Sequence, residues 1–102
     1  MEPYVSKLQG PEMDDVFDAI LSLKDRSECY RFFEDVCTIG EQLAIAQRWQ
    51  VARHLDEGMT YQDISRRYNA STATISRVNR CLEYGAGGYR LLLDRLKQKE
   101  SE

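Results

Sequence analysis

At 102 residues the chain is long enough for one domain with a modest core, and its formal net charge of −3 gives no overall pull toward a polyanion. No apolar run approaches a membrane span and no signal peptide is visible, so a cytoplasmic protein is expected. Cys29, Cys37 and Cys81 form no CxxC pair and His54 is the only histidine, which leaves no zinc cluster or His-based catalytic dyad to assemble. The cysteines are expected to be reduced, buried small hydrophobes, and His54 to be structural or exposed.

Residues 1–10 lack periodicity and read as a loose arm. Pro11 suits the first turn of a helix, and Glu12, Asp14 and Asp15 suit the positive end of its dipole. Met13, Val16, Phe17, Ile20 and Leu23 follow at helical spacing, a stripe for the core or for a partner. Asp25-Arg26-Ser27 breaks the pattern. Ser27 can cap a second short helix with Cys29, Phe32, Phe33 and Val36 on its apolar face.

Thr38-Ile39-Gly40-Glu41 has the form of a capping box opening the longest helix, about residues 39–57, with Gly58 at its C′ position. Ile39, Leu43, Ile45, Ala46, Trp49, Ala52 and Leu55 spread over a wide arc, with Ala44 and Val51 beside them. So wide an arc in a small domain calls for burial on more than one side, and one cover can come from another subunit. Arg48 lies within this stretch, where a charge either meets a ligand, an acid or a phosphate, or snorkels to water.

Residues 60–84, TYQDISRRYNASTATISRVNRCLEY, read as two short helices joined by a tight turn. Thr60 is a good N-cap, with Asp63 at N3. Ile64 and Tyr68 share one face. Asn69 tolerates the left-handed conformation that such a turn needs. Ser71 or Thr72 can cap the second helix, whose stripe is Ile75, Val78 and Leu82.

Apolar Ile64 and Tyr68, a turn former at Asn69, small Ala70, and apolar Ile75 and Val78 fit a helix-turn-helix, whose steeply crossed helices need apolar contact positions and a short turn. A helix tip that approaches base edges needs short hydrogen-bonding side chains, and Ser71, Thr72, Thr74 and Ser76 provide them, while Ala73 or a Thr methyl can pack on a thymine methyl. Gln62, Arg66, Arg77 and Arg80 are placed for phosphates or base edges, as is Arg67. The same pattern also fits a plain αα corner with a solvated basic face. The charge is uneven: four arginines stand against Asp63 and Glu83 in residues 60–84, whereas residues 1–37 carry four bases against nine acids.

Gly85-Ala86-Gly87-Gly88 ends the second helix of the pair. No strand precedes these glycines and no GK[ST] follows, so a phosphate cradle is not indicated. A last helix is expected over about residues 89–97, with Tyr89, Leu92, Leu93 and Leu96 on one face and a frayed charged end after it. No nucleophile–base pair, metal cluster or carboxylate dyad stands out. The chain does not read as an enzyme, and neither catalytic nor metal-binding residues are assigned.

The stretches GEQLAIAQRWQVARHLDEGMTYQDI and TATISRVNRCLE resemble the Trp repressor family, especially its YerC/YecD-type branch, over about residues 38–96. The resemblance implies an all-α fold of about six helices, two copies of which intertwine as a homodimer around a shared core. It implies one Trp repressor-like DNA-binding domain over residues 1–102, with its helix-turn-helix at 60–84. Two such units would enter successive major grooves about 34–36 Å apart on a near-palindromic site of double-stranded DNA.

In the tryptophan-responsive members two arginines sandwich the indole; Arg48 and Arg77 fall on those positions, Thr74 on a further pocket position, and Cys37 and Thr38 on the main-chain groups that bind the amine. Those members carry glycine where Val78 stands. Its branched side chain takes the ring's space, so the expectation is a different small effector or none. The functional expectation is a sequence-specific DNA-binding transcription regulator, a homodimeric repressor. The alternative is a helical protein-interaction module that does not bind DNA, which the acidic balance favours.

Overall fold

The computed structural model describes residues 4–101, and among them the chain folds into six helices. They are α1 (Pro11–Leu21), α2 (Arg26–Val36), α3 (Ile39–Asp56), α4 (Tyr61–Tyr68), α5 (Thr72–Tyr84) and α6 (Gly88–Ser101). They fall into two compact units, one running through Thr38 and the other starting at Ile39. The first three residues of the expected arm, and Glu102 at the expected frayed end, lie outside the described residues. No helix among the described residues is long and apolar enough to cross a membrane.

In the first unit residues 4–10 contain a turn, in which the Gln9 amide donates to the Ser6 carbonyl, and no helix or strand. Pro11 opens α1, and Glu12 and Asp14 occupy its first turn. The α2 cap is Asp25 and not Ser27: its carboxylate accepts from the Glu28 amide at 2.9 Å, while Glu28 Oε1 accepts from the Lys24 amide. With two cap formers two residues apart, the pairing that uses Glu28 at N3 wins, because one side chain satisfies an amide in each direction. Phe32 and Phe33 meet edge to face at 5.4 Å. Neither helix of this unit has a fully buried residue; Val16, Phe17, Leu21, Tyr30 and Val36 are all exposed.

The second unit has the core. Val51 and Ala52 of α3, Ile64 of α4, Ala70 of the turn, and Ile75 and Val78 of α5 are all buried together. Leu55, Met59, Tyr68 and Tyr89 pack around them, and Leu93 of α6 is also buried. Val51, read from sequence as lying beside the apolar arc of α3, is at its centre. The N-terminal half of the arc is the part left open: Ile39 is 76% exposed, Leu43 65% and Ile45 48%.

The end of α3 is closed by a six-to-one bond from the Met59 amide to the His54 carbonyl, and by a bond from Gly58 to Leu55. That pattern needs a left-handed residue at the penultimate place, and Gly58 supplies it at φ 88°. The chain turns at once into α4, which Thr60 caps through its hydroxyl to the Asp63 amide at 3.2 Å.

At the other end of the core α5 stops at Gly85, whose amide bonds to the Cys81 carbonyl. A Cβ on Gly85 would stand 2.4 Å from that same oxygen, so no other residue fits without a shift of the backbone.

Two further expectations are corrected. Helix α6 spans Gly88–Ser101 and not 89–97, and its charged end is not frayed up to Ser101. Asp56 at the end of α3 explains this: it pairs with Arg90 at 2.8 Å and with Lys97, tying positions two turns apart on α6. Lys97 holds the Asp56 carboxyl below its ordinary range, with Arg90 acting in the same direction and burial opposing both. The cysteines are free, but they are not buried: Cys29 and Cys81 are exposed and Cys37 is half-buried. Cys29 lies on a helix with no buried side chain, and Cys81 is one of the α5 residues outside the Ile75–Val78 face that meets the core.

Candidate nucleic-acid interface

The geometry of residues 60–84 follows from three local devices. Thr60 starts α4. Asn69 ends it in the left-handed region at φ 52° and ψ 38°, the one positive-φ residue other than glycine among those described. Ser71 starts α5, its hydroxyl accepting from the Thr74 amide at 3.1 Å. Ala70 between them is 2% exposed, so the turn itself is part of the core and a small side chain is required there.

Because Ile75 and Val78 face the core, most of the remaining positions of the first two turns of α5 face water. Thr72, Ala73, Ser76, Arg77 and Arg80 are exposed, and Ser71 is exposed although it caps. Thr74 is half-buried, its hydroxyl oxygen accepting from Ser71 Oγ at 3.0 Å. Ala73, Ser76, Arg77 and Arg80 line a shallow cleft of about 240 Å³. On α4, Gln62 and Arg66 are exposed, and the Arg67 guanidinium lies over the Tyr68 ring, 5.4 Å from its centre. No acid occurs between Asp63 and Glu83. The exposed side of the pair therefore combines hydroxyls and a methyl at the positive end of the α5 dipole with arginines further along the two helices, a surface suited to an anionic polymer with polar edges.

Of the residues that the resemblance assigns to an effector, Cys37 and Thr38 belong to the first unit and Arg48, Thr74 and Arg77 to the second. Cys37 caps α2, its amide bonding to the Phe33 carbonyl, and Thr38 ends the first unit. In the second unit Arg48 is exposed and its Nε donates to the Ala44 carbonyl one turn back. Its charge also reaches Tyr89, whose hydroxyl is pushed up by burial and eased back by Arg48. Val78 is buried in the core. A larger groove of about 390 Å³, with Trp49 and Arg53 on one side and Leu93 and Leu96 on the other, carries none of the expected site residues.

Two residues that hold this surface in place were not singled out for that role by their local sequence. Gln47 of α3 donates from its side-chain amide to the Tyr68 and Asn69 carbonyls, at 3.3 and 3.4 Å. His54, buried in α3, meets the Tyr68 hydroxyl at 3.1 Å. Both contacts join residues far apart in the chain, and the only local hint was a polar residue recurring on the face of α3 that carries Val51.

A profile of the family described as Trp repressor protein matches residues 11–97. The chain belongs to the Trp repressor family. It is 57% identical over 98 residues to the uncharacterised protein YerC of Bacillus subtilis (strain 168), covering 96% of this chain and 94% of that one. Among solved structures it resembles a TrpR-like protein from Eubacterium eligens ATCC 27750, at 55% identity and a TM-score of 0.86, over 89% of this chain and 94% of the other. It also resembles a candidate Trp repressor from Staphylococcus aureus, at 49% identity and a TM-score of 0.85, over 89% and 91%. The six-helix, all-α architecture read from the sequence is thus that of the Trp repressor family.

Proposed function

We propose that this Trp repressor family member is a sequence-specific DNA-binding transcription regulator. The observation that carries the reading is the split of α5, with Ile75 and Val78 fully buried while Thr72, Ala73, Ser76, Arg77 and Arg80 stand exposed around them with no acid between. In this reading α4 and α5 form a helix-turn-helix, and the N-terminal end of α5 enters a major groove. Thr72, Ala73, Thr74 and Ser76 face bases. Gln62, Arg66, Arg77 and Arg80 hold phosphates or base edges, and Ser71 lies at the helix mouth near the backbone.

The whole chain acts as one domain in a homodimer on a near-palindromic site, and it represses by occluding a promoter. Support for a second copy comes from the exposed apolar side chains of both units: Val16, Phe17 and Leu21 in one, and Ile39, Leu43, Leu91, Leu92 and Leu96 in the other. A lone soluble chain does not keep so much apolar surface in water. The reading holds with a small effector or without one.

The test is the affinity for duplexes drawn from a random pool, measured against salt. Each neutralised phosphate should contribute roughly 0.9 to the slope of log K on log salt, so several contacts give a steep fall. A flat dependence on every duplex overturns the reading.

A further inference from the structure

The carbonyls of Tyr68 and Asn69 come where α4 has run out of backbone donors, and they carry the negative end of its dipole. The donor they receive is borrowed from another helix. The Gln47 side-chain amide crosses from the middle of α3 to both. Seven residues on, two turns along the same face, is His54. Its Nδ1 sits 2.8 Å from the Gln50 carbonyl, which can only accept, so Nδ1 carries the proton and Nε2 accepts from the Tyr68 hydroxyl. Val51 packs between these two positions in the core. Apolar contact fixes how closely α3 and the α4–α5 pair approach, but it is not directional. Hydrogen bonds to the turn itself are.

We infer that Gln47 is a positioning residue that sets the orientation of α5 by holding the carbonyls of the α4–α5 turn against α3, with the His54–Tyr68 bond as a second tether. This rests on the reading of α5 as the helix that enters the groove. Gln47 acts through the turn and not by recognising sequence itself. An angular error at the turn is carried along α5, so it penalises the close fit to a preferred sequence more than loose attachment to any duplex.

The experiment uses the full chain with Gln47→Leu, which keeps the bulk and removes the donor, and Gln47→Met as an unbranched repeat. Each is measured against the best duplex from a random-pool selection and against a scrambled duplex, alongside amide exchange. Expected is a loss of about five- to tenfold on the selected duplex. The scrambled duplex should change by less than about twofold with an unchanged salt slope, because phosphate attachment is not touched. Exchange at residues 70–75 should quicken while that of the Val51–Leu55 segment stays as in the parent.

Gln47→Glu should be worse than either at neutral pH, since a carboxylate only accepts, and its defect should shrink as the pH falls and the carboxyl gains a proton to donate. A Gln47→Leu variant that keeps the parent's ratio between the two duplexes, or loses equally on both, overturns the inference. Should the parent itself bind no duplex, the DNA reading fails separately, and exchange at 70–75 decides: quickened exchange sustains the tether, and parent-like exchange removes it.

Discussion

Asn69 offers the cleanest perturbation in the molecule. Its backbone is left-handed at φ 52°, while its side chain is exposed and outside the core. Substitution there changes the conformational cost and little else. A left-handed L-residue costs roughly 1–2 kcal/mol, and asparagine escapes part of this through its short polar side chain. Asn69→Gly removes the steric cost but loses about 0.5–1 kcal/mol through the freer unfolded chain, so its net effect should be near zero. Asn69→Ala should destabilise by about 1 kcal/mol, and Asn69→Val by about 2, because a β-branched side chain is worst placed there. For a domain of this size 1 kcal/mol moves the melting temperature by about 4–8 °C. The assay is thermal unfolding at one fixed protein concentration, since pairing of chains would make the midpoint depend on it. The expected order is glycine level with asparagine, then alanine, then valine. A valine variant melting with the glycine variant would show that the turn does not hold the left-handed geometry, and the placement of α5 would have to be redrawn.

Ser71→Ala should cost about 1 kcal/mol by removing the cap on the Thr74 amide, while Ser71→Asp keeps the cap, melts like the parent, and binds duplex more weakly at low salt because it sets a negative charge beside phosphate. Arg80→Ala should weaken binding to all duplexes alike and reduce the salt slope by about 1, whereas Ser76→Ala should change the preferred sequence in a pool selection; identical outcomes from the two would reject the division of roles. For Asp56 the depressed carboxyl means that its stabilisation is fully present above the ordinary carboxylate range, near pH 4, and is lost as the pH falls from there through its lower folded value. Because Arg90 and Lys97 are 44% and 56% exposed, the effect should be no more than about 1 kcal/mol, and Asp56→Asn should lower stability by that amount at neutral and alkaline pH and flatten that part of the acid unfolding curve. Leu43→Glu, on the open half of α3, should halve the mass seen by sedimentation equilibrium while leaving the helical content; an unchanged mass would place the interface between copies elsewhere.

What could be read from the chain was what short range decides. Thr60, Asn69 and Ser71 act on amides and dihedrals within three residues of themselves, and Ile64, Ile75 and Val78 declare their face by spacing alone. The stop at Gly58 was visible for the same reason. The α2 cap was misplaced because Asp25 and Ser27 are both competent, and the choice depends on Glu28 reaching back. The true end of α6 was hidden because its last turns carry no apolar stripe; what ties them is Asp56, some forty residues earlier in the chain. The cysteines were expected inside on residue type, yet whether Cys29 and Cys81 are covered depends on surfaces that a single chain leaves open. Gln47 and His54 escaped notice as supports of the turn for a related reason: each contacts a residue fourteen or more positions away, and nothing near either one in sequence points there.

The division of α5 into a packed edge and a free edge has a consequence for how such a protein can change. Residues 73, 76, 77 and 80 can be rewritten with little bearing on whether the chain folds, since none of them supports the interior. On the proposed reading of α5, preference for one target over another can thus drift, or be redesigned, through a handful of substitutions that leave the scaffold untouched. A library varied at those four positions alone should yield mostly well-folded members with diverging tastes.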